Sequence, residues 1–292
     1  MSTNSLTEIG WPGAAFTTRT RPELAIAAAA PSGRVLGEER DGAEPNVTYK
    51  VLYPKLHGMA ATTRILLALG GVRWESIYPS EWGSAEKEKV PFGVMPVLYE
   101  IHHRGRQHSV NEGSGPNPES GSEATSELVL EIPESEAIER YLARKFGLLG
   151  HDAWEETAIN AFYSSSNAVM SHYVNKVLLA FPDTKERELE KFATKQVPQW
   201  IAQHEKWLAR NGSNGFYVGD KLSLADIRSV ICLDRFMTIP ECKDMFSPTL
   251  TPGLFMLKQN LESNPRYSAW MTSDDFEAIT ASTRQRLAVL SG

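Results

Sequence analysis

Four short stretches, far apart in the sequence, carry the side chains best suited to chemistry. Tyr53 ends an apolar stretch beside the break 54–58, and Trp82 and Lys87 lie in a charged connection. Met95-Pro96 precedes a further apolar run, and Pro133-Glu134-Ser135 places a hydroxyl and a set of unpaired amide N–H groups where a helix begins. A phenol can donate or accept a hydrogen bond, a lysine supplies a positive charge, and a helix N-terminus favours an anion. Other chemistries lack their residues. There is no P-loop, no GxSxG and no GxGxxG. The pair His102-His103 sits at the edge of a loop, without a cysteine or carboxylate at a recognised metal spacing, and reads as structural or solvent-exposed. Cys232 lies in the apolar run Ile231-Cys232-Leu233, where a thiol is buried and inert.

The elements that must position these residues follow from periodicity. Strands are expected over 48–53, 72–78, 97–101 and 128–130, and a helix over 60–69, with Ile65, Leu66 and Leu69 at helical spacing and Gly70-Gly71 as its stop. The charged stretch 79–90 reads as an irregular or short helical connection. A helix over 135–146 carries Ala137, Ile138, Tyr141, Leu142 and Phe146 on one face. In a small mixed sheet with this order, the four stretches converge on one edge. Everything after Asp152 is helical by pattern: one helix over 153–181, a second over 185–210 kinked at Pro198, a third entered through Ser223-Leu224-Ala225-Asp226, and two shorter ones from 254 and 268. Ser223 and Asp226 have capping-box spacing and read as a stability device. The expected domains are therefore a flexible leader over 1–46, a sheet-containing unit over 47–150 and an all-helical unit over 151–292. The polar segment 102–127, rich in Gly, Ser, Pro and Asn, reads as an insertion between two strands that either closes over the site or hangs in solvent, its composition favouring the second.

Bulk properties agree with two modest cores: 292 residues, 41% hydrophobic. The net charge of -6, with no basic block, argues against a nucleic-acid partner. Ile65 to Leu69, the longest apolar candidate, is far too short to span a membrane. Two cysteines, Cys232 and Cys242, are too few for a secreted scaffold and point to free thiols in a reducing, cytoplasmic setting. The leader carries Glu8 and Glu23, against the pattern of a secretory peptide.

Taken together, Tyr49-Lys50-Val51-Leu52-Tyr53, the helix opening from Gly58 to Arg64, Trp82, the loop from Pro91 to Leu98, Glu134-Ser135-Glu136-Ala137-Ile138-Glu139-Arg140-Tyr141-Leu142 and Gly219-Asp220-Lys221-Leu222-Ser223-Leu224-Ala225-Asp226 resemble the cytosolic glutathione transferases. The likeness is strongest to the sigma-like, tyrosine-using group, fungal members included. It implies an α/β thioredoxin-like domain followed by an all-α domain, with glutathione as the cosubstrate. Pro96 would be cis, presenting the backbone of Met95 to the cysteinyl part of glutathione. Ser135 and the first-turn amides would hold the γ-glutamyl carboxylate, helped by Glu134, while Trp82 and Lys87 would face the glycyl end, with Lys89 competing for that role. Tyr53 would donate to the sulfur and favour the thiolate, which attacks an apolar electrophilic molecule held by the helical domain. His57 is a lesser thiol partner or a contact to that second substrate. A homodimer is implied as well.

The chain departs from the pattern at Met59, where arginine is usual, and at Val94, where lysine or glutamine often touches glutathione. The resemblance therefore leaves three readings: conjugation in detoxification or biosynthetic tailoring, glutathione-dependent isomerisation or carbon–sulfur cleavage, and a non-catalytic scaffold for ligands or protein association.

Overall fold

The computed structural model describes residues 46–83, 85–103 and 127–291. The expected leader, apart from Asn46, lies outside the described residues, as does the expected insertion between 103 and 127. The described residues form two compact units that divide after Leu142.

The first unit is built on four strands, β1 (Val47–Leu52), β2 (Arg73–Ile77), β3 (Val97–His103) and β4 (Glu127–Pro133), in the order β2-β1-β3-β4. β1 runs parallel to β2 and antiparallel to β3, and β3 is antiparallel to β4. Period-two alternation buries Val47, Tyr49 and Val51 of β1 on one face. The connection from β1 to β2 is α1 (Ala61–Gly70), whose Ile65, Leu66 and Leu67 are buried. It stops at Gly71, whose left-handed φ of 63° suits a residue without a side chain. A short helix, α2 (Ala85–Glu88), occupies part of the stretch expected to be an irregular or short helical connection, and a 3-10 turn, Pro91–Gly93, follows it. α3 (Ser135–Lys145) follows β4, with Ile138 and Leu142 fully buried.

The strands bordering the expected insertion are longer than the sequence indicated. His102 pairs with Leu128 and His103 with Glu127. The two histidines are strand residues with side-chain partners: His102 Nε2 lies 2.9 Å from Glu100 Oε1, and His103 Nε2 lies 2.9 Å from Thr48 Oγ1. A carboxylate two residues away shares a strand face. That neighbour is invisible to a search for metal spacing.

The second unit is helical: α4 (Ala153–His172), α5 (Pro182–Lys191), α6 (Val197–Arg210), α7 (Leu224–Phe236), α8 (Pro252–Glu262), α9 (Pro265–Met271) and α10 (Asp274–Ser291). Both long helices expected from the pattern are interrupted. A π-helical segment, Tyr173–Leu178, follows α4, and a second, Phe192–Gln196, separates α5 from α6. Pro198 follows directly on this second wide turn, inside a continuous helical run, where its missing N–H removes a donor to the preceding turn. Asp152 caps α4 by accepting from the N–H groups of Trp154 and Glu155. Asp226, fully buried at the start of α7, accepts from Ser223 N at 2.7 Å, Ser223 Oγ at 2.6 Å and Tyr217 N at 3.0 Å. Burial outweighs these donors and pushes its carboxyl up to about 7. Cys232 and Cys242 are buried free thiols. Among the described residues no helix is long and apolar enough to cross a membrane, and no three His, Cys, Asp or Glu side chains are grouped to hold a metal ion.

Candidate functional site at one end of the sheet

Strand register brings three of the four chemical stretches together. Leu52 at the end of β1 is the partner of Val97 at the start of β3, and Val97 is in turn the partner of Pro133 at the end of β4. Tyr53, Met95-Pro96 and Glu134-Ser135 each lie one or two residues beyond that row. Neighbouring strands lie ~4.8 Å apart, so the outermost of these positions are separated by roughly 10 Å across the sheet. β2 ends in the same row, since Ile77 is the other partner of Leu52.

Tyr53 is half-buried, and its hydroxyl oxygen accepts the backbone N–H of Met59 at 3.0 Å. Gly58 lies against the ring at a φ of 39°, and a Cβ there would come within 2.5 Å of the phenol oxygen. His57 is the next neighbour on this loop. Burial first, and the Arg64 guanidinium second, lower its pKa to about 4, so the imidazole is neutral at physiological pH.

Lys87 projects from α2, and its aliphatic stem lies beside Gly93, where an added Cβ would stand 3.3 Å from the lysine Cε. That contact carries the fourth stretch to the loop before β3. Gly93 has a φ of 60°, and the Phe92 before it is also left-handed, at 57°, with its ring 79% exposed. Trp82 is half-buried in the preceding loop. Glu86 closes that loop by accepting from Ser80 N, Ser80 Oγ and Glu81 N, and the serine hydroxyl is the largest cause of its lowered pKa. Lys89 is exposed at the end of α2, its N–H spent on Glu86 O. Val94 and Met95 are half-buried, Pro96 is buried, and the Met95–Pro96 peptide is cis. Glu134 adopts a left-handed φ of 69° and leads into the buried Ser135 at the first position of α3. A non-glycine residue in this region marks a chain path dictated by its surroundings.

Sequence reasoning missed three contributors: Gly58, Glu86 and above all Arg64. Arg64 is fully buried in α1, with Nη1 donating to Leu56 O at 2.6 Å, Nε donating to Ser76 Oγ at 3.1 Å and its guanidinium carbon 6.0 Å from the Tyr53 ring centroid. The available signal was the run 62–67, where two threonines and an arginine adjoin an apolar trio and leave that turn no solvent face.

Comparison with known proteins agrees with this fold. Residues 169–274 match the family described as glutathione S-transferase, C-terminal domain. A glutathione S-transferase of Dirofilaria immitis is 28% identical over 223 residues, covering 75% of this chain and 90% of its own length. A hematopoietic prostaglandin D synthase of Gallus gallus is 24% identical over 79% of this chain and 98% of its own. Among solved structures, the sigma class glutathione transferase of Fasciola hepatica superposes with a TM-score of 0.60 at 21% identity, covering 77% of this chain and 95% of that one. The chain thus has the glutathione transferase fold, matches that family's C-terminal domain over residues 169–274, and is similar to glutathione S-transferases over about three quarters of its length.

Proposed function

We propose that this chain is a tyrosine-type, sigma-like glutathione transferase in which Tyr53 activates the thiol of glutathione for attack on an apolar electrophile. The observation that carries the reading is the register row Leu52, Val97 and Pro133, beyond which Tyr53, Met95 and the start of α3 lie at the same end of the sheet. An extended peptide fits such an array, its cysteinyl portion along Met95 and its γ-glutamyl carboxylate at Ser135. Lys87, beside Gly93, is the cation for the glycyl carboxylate, with Trp82 packing near it.

Tyr53 spends its oxygen lone pair on Met59 N–H and keeps its own hydrogen for the sulfur. A thiol with an ordinary pKa of about 8.5 is mostly protonated at neutral pH, and a donor that lowers this by about 2 units supplies roughly 2.7 kcal/mol to the thiolate. The thiol proton passes to solvent, the sulfur lone pair forms the new C–S bond, and the electrophile takes up the displaced electron pair. Neutral His57, on the same loop as the phenol's backbone partner, is a contact for the second substrate. Met59 and Val94 offer glutathione no charged group, so its binding rests on backbone, on Ser135 and on Lys87. The same reading carries a homodimer, a reducing cytoplasmic setting consistent with two buried thiols, and a role in detoxification or in tailoring a specific metabolite by a specialised member of fungal type.

Titration calorimetry with glutathione and thiol-transfer kinetics against conjugated carbonyls, epoxides and activated aryl halides test this. Tyr53→Phe is expected to lower kcat at neutral pH on the order of tenfold to thirtyfold with little change in glutathione affinity. Absence of glutathione binding by the wild type defeats the reading.

A further inference from the structure

We propose that Arg64, although it touches no substrate, is the positioning residue of the thiol-activating tyrosine: it pins the loop 54–60 so that the Met59 N–H meets the phenol oxygen, and it sets a permanent positive charge beside the ring. The inference rests on the reading of Tyr53 given above and goes beyond it.

Three observations converge on this role. First, Arg64 is fully buried, and burial of a guanidinium is costly unless its donors are used. Its Nη1 is used on Leu56 O at 2.6 Å, in the middle of the loop between Tyr53 and α1. Second, that loop folds back on the tyrosine: Leu56 N bonds Pro54 O, Gly58 packs against the phenol, and Met59 N donates to it. A short loop with few internal bonds keeps such a contact only if it is anchored elsewhere, and the Leu56 carbonyl is one such anchor point. Third, Nε donates to Ser76 Oγ on β2, which ties the same side chain to the strand paired with β1. A fork held at two points is a rigid brace, which a single ammonium cannot reproduce.

The charge has its own effect. A guanidinium 6.0 Å from the ring centroid is attracted by the ring face, withdraws electron density from the phenol and makes its O–H a better donor to a thiolate. His57 is neutral above a pKa of about 4, and Lys55 is turned toward the Tyr78 ring. The same arrangement accounts for Met59. Where the resemblance leads one to expect an arginine side chain near the site, this chain contacts the phenol through the backbone of that position and takes its cation from Arg64.

The test follows the ultraviolet absorbance of the glutathione thiolate bound to the enzyme across a pH series, with kcat and KM for glutathione measured alongside. The variants are Arg64→Met, Arg64→Lys and Ser76→Ala, each also placed in a Tyr53→Phe background. We expect Arg64→Met to raise the apparent pKa of the bound thiol by about one unit, to cut kcat at neutral pH about tenfold with recovery at alkaline pH, and to change KM less than threefold. Arg64→Lys should recover part of this shift, and Ser76→Ala, which loosens one arm of the brace in a half-buried side chain, should give a smaller shift of the same sign. In the Tyr53→Phe background none of the three should move the thiol pKa further. If Arg64→Met does not fold, Ser76→Ala alone decides. A thiol pKa unmoved in folded Arg64 and Ser76 variants, or a shift undiminished without the phenol, overturns the proposal. A wild type that binds no glutathione, or leaves its thiol pKa at the free value, overturns the functional reading itself, and the two failures are distinct.

Discussion

At the scale of single residues, the site depends on small groups in fixed places. Gly58 is one of them: its φ of 39° and the 2.5 Å that would separate an added Cβ from the Tyr53 oxygen leave no room for alanine. Gly58→Ala is therefore expected to cost about 1–2 kcal/mol in urea unfolding and to lower kcat by displacing the phenol, while KM for glutathione stays within about twofold. Steady-state kinetics beside unfolding curves check this, and an unchanged kcat would contradict it. Ser135→Ala should do the reverse. A lost hydrogen bond to a charged group costs about 1.5–3 kcal/mol, so KM for glutathione should rise on the order of tenfold with kcat nearly constant. Tyr53, Met95-Pro96 and Glu134-Ser135 were legible in the sequence because each borders a recognisable strand or helix start. Arg64 was not, because an arginine in a helix is ordinarily read as a solvent-facing charge, and only the packed structure shows its donors turned inward.

At the scale of elements, the helical unit contains a buried polar knot that links α4, α6 and the segment before α7. His204, on α6, joins Tyr217 OH through Nδ1 at 2.6 Å and Ser165 Oγ through Nε2 at 3.0 Å. Burial pushes its pKa down to about 3 from an ordinary 6.5. The unfolded chain takes up a proton at pH 6.5 that the folded chain refuses, so the stabilisation is complete above 6.5 and is lost as pH falls toward 3. Asp226 has the opposite sign: its raised pKa of about 7 gives stability below the ordinary carboxyl value that is lost as pH rises through 7. Comparing His204→Gln with wild type cancels the Asp226 contribution. The stability deficit of the variant measured in urea at pH 7.5 should shrink by about 2 kcal/mol at pH 5, and a deficit independent of pH would refute the assignment. Periodicity located these helices but joined α5 to α6 and α4 to its π-helical extension, because one extra residue in a turn barely disturbs a 3.6-residue pattern.

At the scale of the whole molecule, the chain differs from a plain transferase most visibly between His103 and Glu127, which are direct partners in the antiparallel pair. The sequence marked this place by composition, yet set the strand ends a residue or two short because polar residues such as His102 and Glu127 give no apolar signal. Replacing residues 104–126 by a two-residue Asn-Gly turn should leave glutathione binding intact and raise stability by at most about 2 kcal/mol, the closure entropy of the shortened loop. Calorimetric melting and titration of the shortened chain measure both, and loss of binding would assign that segment to the site.

The contact between Met59 N–H and the Tyr53 oxygen has a consequence for how such a site ages. A main-chain donor survives every replacement of its own side chain except proline, so position 59 is free to drift while the phenol keeps its partner. A contact made through backbone is therefore compatible with a methionine at the position where the resemblance leads one to expect an arginine.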